Sequence, residues 1–242
     1  MNPNDWKDEI FIGNQLPPGY RLHILGKDES ETVDPKIHFS GDHLEGDFDH
    51  VLCPNCSRPL FPIFKLDLRD KRVRDLGLWA KEYLQVLVCP SCAFYTKPYW
   101  IRFHSGVIEV RGGRRDDGKI LQDIVTPYES RVIKLESLVA EDYPLSKQSV
   151  LAFHTRTRPP GVYHQIGGLP KTRGYDEMNC CDCGKSMRFA GIVDYDDLNA
   201  PLYEKYDNGH QEPVALVIGD MDSLHYFTCP ECAVIGIKWK TL

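Results

Sequence analysis

Residues 53–67 read CPNCSRPLFPIFKLD, and residues 180–194 read CCDCGKSMRFAGIVD. Each stretch opens on a Cys-x-x-Cys knuckle and carries a bulky apolar residue seven positions after its first cysteine (Leu60, Met187). Each ends on an aliphatic residue followed by Asp. A second pair matches more closely: LVCPSCAFYTKPYW at 87–100 and FTCPECAVIGIKW at 227–239. Both contain C-P-x-C-A and run on through β-prone residues to a point near a tryptophan. The first knuckles lie 127 residues apart and the second knuckles 140, so the later copy holds 13 additional residues between its knuckles. Repetition on this scale predicts a duplicated structural unit.

The 242-residue chain is 42% hydrophobic and 26% charged, the balance of a soluble globular protein. No apolar run approaches the roughly 18 residues of a membrane span. The N-terminal MNPNDWKDEIFIGN has neither a basic nor an apolar leader region, so no secretory signal is expected. A reducing cytoplasmic setting follows, in which paired knuckles favour metal over disulfide. The odd total of nine cysteines also fits a disulfide framework poorly. A net charge of −6 argues against general binding to polyanions.

Four thiolates in a tetrahedron are a common solution for structural zinc, and two Cys-x-x-Cys knuckles supply them. Ser57, Ala93, Gly184 and Ala233 follow the second cysteine of each knuckle, all small residues that leave the turn uncrowded. Pro54, Pro90 and Pro230 fix φ inside three of the turns. Pairing within each copy assigns Cys53, Cys56, Cys89 and Cys92 to one site and Cys180, Cys183, Cys229 and Cys232 to the other. Two structural Zn²⁺ ions are expected; iron in an S₄ site shares the ligand set. Pairing one knuckle from each half is the less economical alternative. Cys181 aligns with Pro54 and is read as a non-ligand.

The pattern predicts a mostly β (α+β) fold with few helices, in which two pseudo-repeated zinc-ribbon-like β units pack into one pseudo-symmetric globule. Strands are expected at Leu84–Val88, Tyr99–Phe103, Val107–Val110, Met187–Val193, Val214–Ile218, Leu224–Thr228 and Val234–Trp239. Val132, Leu135 and Leu138/Val139 predict a helix over Tyr128–Tyr143, and a shorter one is expected over Arg74–Glu82. Breaks at RGGRRDDG (111–118) and TRPPG (157–161) divide the chain into a polar arm (1–35), a first unit (36–111), a partly helical connector (112–161) and a second unit (162–242). The arm contains a turn at Pro17-Pro18-Gly19.

No nucleophile, metalloprotease or phosphate-loop motif is present, and a site closed by four cysteines offers no open position for metal catalysis. An enzyme is therefore not expected. Charge is segregated instead. Residues 28–49 hold Asp28, Glu29, Glu31, Asp34, Asp42, Glu45, Asp47 and Asp49 against Lys36 alone. Residues 143–175 lack acids and hold Lys147, Arg156, Arg158, Lys171 and Arg173.

IGGLP (166–170), the following knuckle, Met187-Arg188-Phe189 and the later FTCPEC together resemble the bacterial YwqG-like family. The same order of features is similar to the zinc domain of programmed cell death protein 2. KTRGYDEMN (171–179) lacks the tryptophan that often follows the Gly-Gly-x-Pro turn in those families. The resemblance implies a mostly β, pseudo-symmetric binding protein, either a chaperone of a ribosomal protein or an immunity partner of a toxin. Asp42, Glu45, Asp47 and Asp49 are the expected surface for a basic protein partner. The alternative is nucleic-acid binding through Arg156, Arg158, Lys171 and Arg173, with Tyr163 and Tyr175 stacking.

Overall fold

Strand formation here is governed by pairing partners as much as by local sequence. Gly19–Ile24 (β1) shows this best. In the computed structural model it pairs antiparallel with Arg131–Ser137 (β8) on one side and His164–Gly167 (β9) on the other. The structure describes residues 17–25, 27–32, 38–40, 51–89, 97–104, 107–113, 124–126, 130–139, 164–169, 177–193, 202–205, 211–214 and 222–241.

Beyond β8 lie Phe39–Ser40 (β2), Phe61–Asp67 (β3) and Tyr83–Val88 (β4). Beyond β9 lie Arg188–Val193 (β10), Asp222–Cys229 (β13), Val234–Thr241 (β14), Tyr99–His104 (β5) and Val107–Gly112 (β6). These make one 11-stranded antiparallel sheet ordered β4-β3-β2-β8-β1-β9-β10-β13-β14-β5-β6. Ile124–Thr126 (β7), Leu202–Lys205 (β11) and Gln211–Val214 (β12) form a separate 3-stranded antiparallel sheet. The chain is thus mostly β.

A sheet of more than about 10 strands seldom stays open, because each step of right-handed twist accumulates. This one curls far enough that β5, next to last in the order, reaches β4, the first. The Tyr99 hydroxyl on β5 donates to the Leu87 carbonyl on β4 at 3.2 Å, joining strands at opposite ends of the order. Trp79 meets Phe103 edge-on with ring centroids 5.6 Å apart. The enclosed core takes Leu22 from β1, Phe64 and Leu66 from β3, Leu84 and Val86 from β4, and Ile235 and Ile237 from β14. A smaller cluster of Met178, Met187, Phe189, Phe227 and Val234 packs beside the last two knuckles.

Three sequence expectations change. The helix expected over Tyr128–Tyr143 is, where described, the strand β8. Its apolar residues also fit a period of two: Ile133 and Leu135 are buried while Lys134 and Glu136 face solvent. The β-branched pair Val132-Ile133 favours the extended form, and flanking β1 and β2 supply the ladder bonds. The helix expected over Arg74–Glu82 is a single turn, Lys71–Arg74. Gly77 at φ +62° ends it, and Leu78 and Trp79 turn inward, each 7% exposed. The polar arm contains β1, whose Leu22 is 1% exposed in mid-sheet. A six-residue helix, Lys27–Thr32, follows β1.

Two glycine positions are set by crowding. A Cβ at Gly191 would lie 2.0 Å from the Gln165 carbonyl oxygen and 2.3 Å from the Tyr226 hydroxyl. The bulge at that point of β10 lets the buried Tyr226 hydroxyl donate to Gln165 O at 2.9 Å. Gly167 and Gly168 of IGGLP adopt φ +68° and +69°, and the Gly168 N–H donates to Pro18 O at 2.8 Å.

A buried polar latch fastens β2. The Asp67 N–H donates to His38 Nδ1 at 3.0 Å, so Nε2 carries the proton and donates to Asp70 Oδ2 at 2.9 Å. Asp70 also caps the turn at Lys71–Arg74 through the Arg72 N–H. Burial, the largest influence, pushes the His38 pKa down; Asp70 opposes this and Arg72 adds to it. Burial alone would raise the Asp70 carboxyl, but hydrogen bonds from Arg72 and His38 outweigh it and hold it well below the usual range.

Gly191→Ala is expected to destabilise the fold by about 1–3 kcal/mol, the usual cost of overpacking, read from the urea midpoint. Gly184→Ala, where a Cβ meets nothing within 4 Å, should cost only the left-handed backbone penalty of about 1–2 kcal/mol. The neutral His38 latch gives a second expectation. Its folded pKa lies below the unfolded value of about 6.5, so its contribution is complete above that pH and is lost as pH falls through it. Denaturation midpoints measured between about pH 7.5 and 5.5 should fall less steeply in His38→Gln than in the parent chain.

Candidate functional site

A Cys-x-x-Cys turn must bring two sulfurs to one point, and the backbone around Cys53 and Cys180 does so with the same bonds. The Cys53 N–H donates to Arg58 O, Ser57 N–H to Cys53 O and Leu60 N–H to Val51 O. The Cys180 N–H donates to Lys185 O, Gly184 N–H to Cys180 O and Met187 N–H to Met178 O. Every pair is offset by the same 127 residues as the cysteines. Isolated bridges Leu52↔Pro59 and Asn179↔Ser186 close the two turns alike. The strands that follow are bulged at matching places, between Pro62 and Phe64 in β3 and between Phe189 and Gly191 in β10.

The residue after the second cysteine is left-handed wherever it is described: Ser57 at φ 59°, Gly184 at 70° and Ala233 at 52°. Small side chains at these positions therefore answer a backbone requirement, since β-branched or bulky residues are strongly disfavoured at positive φ.

The structure gathers seven of the eight expected ligands into two groups. Cys180, Cys183, Cys229 and Cys232 form one, and Cys53, Cys56 and Cys89 the other, with ligand atoms within 4.8 Å of one another in each. Cys92 lies outside the described residues. Cys56 and Cys89 sulfurs are 3.5 Å apart, and Cys183 and Cys229 sulfurs 3.9 Å apart. Neither separation is a disulfide, whose S–S bond is about 2.05 Å. Both lie near the tetrahedral edge of about 3.8 Å set by Zn–S bonds of about 2.3 Å. The donor set and spacing fit a thiophilic metal ion, so two metal sites are compatible with this chain.

Local charge acts on the second group. The Lys185 backbone N–H, the largest influence, holds the Cys183 thiol below its ordinary pKa. Burial pushes Cys229 up, and the bond to Cys183 pushes Cys232 up. Lys185 Nζ pairs with Glu231 at 2.7 Å, joining the tips of the two knuckles across the surface.

Cys181 stands outside both groups. Burial first, then Asp182, pushes its thiol up to about 11, so it stays protonated near neutral pH. Its neighbour Asp182 is held from another strand pair. Arg102 Nε lies 2.7 Å from Asp182 Oδ2 and Arg111 Nη1 lies 3.4 Å from Oδ1. The Trp100 indole donates to Asn179 O at 2.9 Å. Asp182, Trp100, Arg102 and Arg111 carried no signal in the sequence, because each partner lies more than 70 residues away.

Asp42, Glu45, Asp47 and Asp49 lie outside the described residues, as do Arg156, Arg158, Lys171, Arg173, Tyr163 and Tyr175. Asp28, Glu29 and Glu31 are exposed on the helix Lys27–Thr32. Among the described residues no helix is long and apolar enough to cross a membrane. Comparison with family models, curated proteins and solved structures yields no match to this chain.

Elemental analysis of purified Cys181→Ser should match the parent metal content, whereas Cys180→Ser should lose about one ion per chain, since only the latter removes a sulfur from the closed set.

Proposed function

We propose that this chain is a non-enzymatic, cytoplasmic zinc protein that binds another protein, with its two metals serving the scaffold. The supporting observation is the position of the thiols. Cys53 and Cys89 are each 2% exposed and pack in the same core as Leu60 and Val88, at the root of the β3–β4 hairpin. A metal there fastens the strands that build the core. Four-thiolate coordination also closes the ion to substrate, which favours a structural over a hydrolytic role.

Zinc in a site of this type contributes on the order of 10–16 kcal/mol of binding energy coupled to folding. Net stabilities of domains are about 5–15 kcal/mol, so removal of the metals would unfold the hairpins rather than merely silence a surface. The recurrence of bonds and bulges 127 residues apart supports a duplicated, zinc-ribbon-like unit as the origin of the chain.

The partner is read from charge. Asp28, Glu29 and Glu31 are exposed, and Asp42, Glu45, Asp47 and Asp49 follow in the same acidic segment. A basic client, such as a ribosomal protein or a toxin, matches this surface, in keeping with the resemblance to YwqG-like and programmed cell death protein 2 type proteins. Complementary charge of this kind governs the rate and selectivity of association.

Affinity capture on the full-length chain with mass spectrometry is expected to return a basic protein. Neutralising Asp42, Glu45, Asp47 and Asp49 together should slow association with it by about tenfold or more at low salt, measured by stopped flow. An unchanged rate removes this surface from the reading.

A further inference from the structure

The described parts of both cysteine groups meet one hairpin, β5–β6. β5 begins at Tyr99, seven residues after Cys92 in the sequence. Its Tyr99 hydroxyl donates to Leu87 O at 3.2 Å, two residues before Cys89. At the far end of β6, a Cβ on Gly113 would lie 2.9 Å from Pro54 Cγ and 3.1 Å from Tyr99 Cβ, so the first knuckle sits directly against this hairpin.

The same hairpin reaches both knuckles of the second group. The Trp100 indole donates to Asn179 O, the residue before Cys180, at 2.9 Å. Arg102 and Arg111 clamp Asp182, which stands between Cys180 and Cys183. The Phe103 N–H donates at 2.9 Å to the carbonyl of Ala233, the left-handed residue that follows Cys232. β5 is also laddered to β14, with Arg102 opposite Val234.

We propose that the β5–β6 hairpin couples the two metal centres. Filling the first raises the affinity of the second for the same ion, and Asp182 is the positioning residue that receives the coupling. This rests on the reading of both cysteine groups as metal sites. The cause is ordering. The hairpin ends the described sheet and is laddered there to β14, and the first centre at its base fixes its other side. Trp100, Arg102 and the Phe103 N–H then stand ready for the second pair of knuckles, whose own ordering cost is already met. Linkage makes the effect reciprocal, and coupling between sites typically amounts to about 5–150-fold in affinity.

Titrating the metal-free full-length chain with Co²⁺, followed by thiolate-to-cobalt absorption, tests this. Two ions should enter with a Hill coefficient clearly above unity. In Cys53→Ser the remaining centre should bind Co²⁺ about 5–150-fold more weakly than the same centre does in the filled chain. Asp182→Asn and, separately, Trp100→Phe keep all the cysteines. Both should still take up two ions, but with a Hill coefficient near unity. A general loss of stability would instead weaken both binding events together without lowering the steepness.

Two ions entering independently in the parent chain would overturn the coupling while leaving two metal sites in place. Parental steepness in both Asp182→Asn and Trp100→Phe would show that the hairpin is not the link. Uptake of fewer than two ions by the parent would remove the metal reading and this inference with it.

Discussion

The left-handed residue behind each described knuckle is the constraint on which the rest of the structure depends. Ser57, Gly184 and Ala233 turn the chain back so that two sulfurs face one point. The same turn aims the outgoing chain into β3, β10 and β14. From there the hydrogen bonds leave little freedom. Bridges close at Leu52↔Pro59 and Asn179↔Ser186, and a bulge follows at the same distance along β3 and β10. Two sulfur turns therefore determine where two hairpins begin and how far each runs before it bends.

The surroundings of the two cysteine groups differ. The first is continuous with the main core through Cys53, Cys89, Val51 and Leu60. The second rests on the satellite cluster of Met178, Met187, Phe189 and Phe227, with Cys183 exposed at its rim. Nor do the two halves remain apart. β5 follows the first group in the chain yet pairs with β14, which follows the second. β1, β8 and β9 lie between the two hairpins in the strand order. The two groups are thus joined through laddered strands.

Legibility followed the range of the interactions. β4, β5, β6, β10, β13 and β14 were readable because their β-branched and aromatic runs end at turns or at cysteines. β8 was misread because Val132, Leu135 and Leu138 satisfy a helical period while Ile133 and Leu135 satisfy a strand, and only the flanking strands choose between them. GYRLHI and HQIG, the strands β1 and β9, carry too few apolar residues to announce a mid-sheet position. The His38–Asp70 latch and the Arg102–Asp182 pair join residues 32 and 80 positions apart, where no local pattern connects them.

The sequence by itself determined which seven described cysteines could share two sites, the small residues behind the knuckles, the 127-residue recurrence of one knuckle phrase and a predominantly β chain. These are local quantities, settled by turn geometry and side-chain type within a few residues. Only the tertiary structure decided that the strands interleave in one curled sheet, that β1 occupies its middle, and that the β5–β6 hairpin packs against both cysteine groups. Those outcomes depend on which strand finds which partner across the whole chain. Register, twist and crowding at positions such as Gly191 settle that choice, and they exist only once the sheet is assembled.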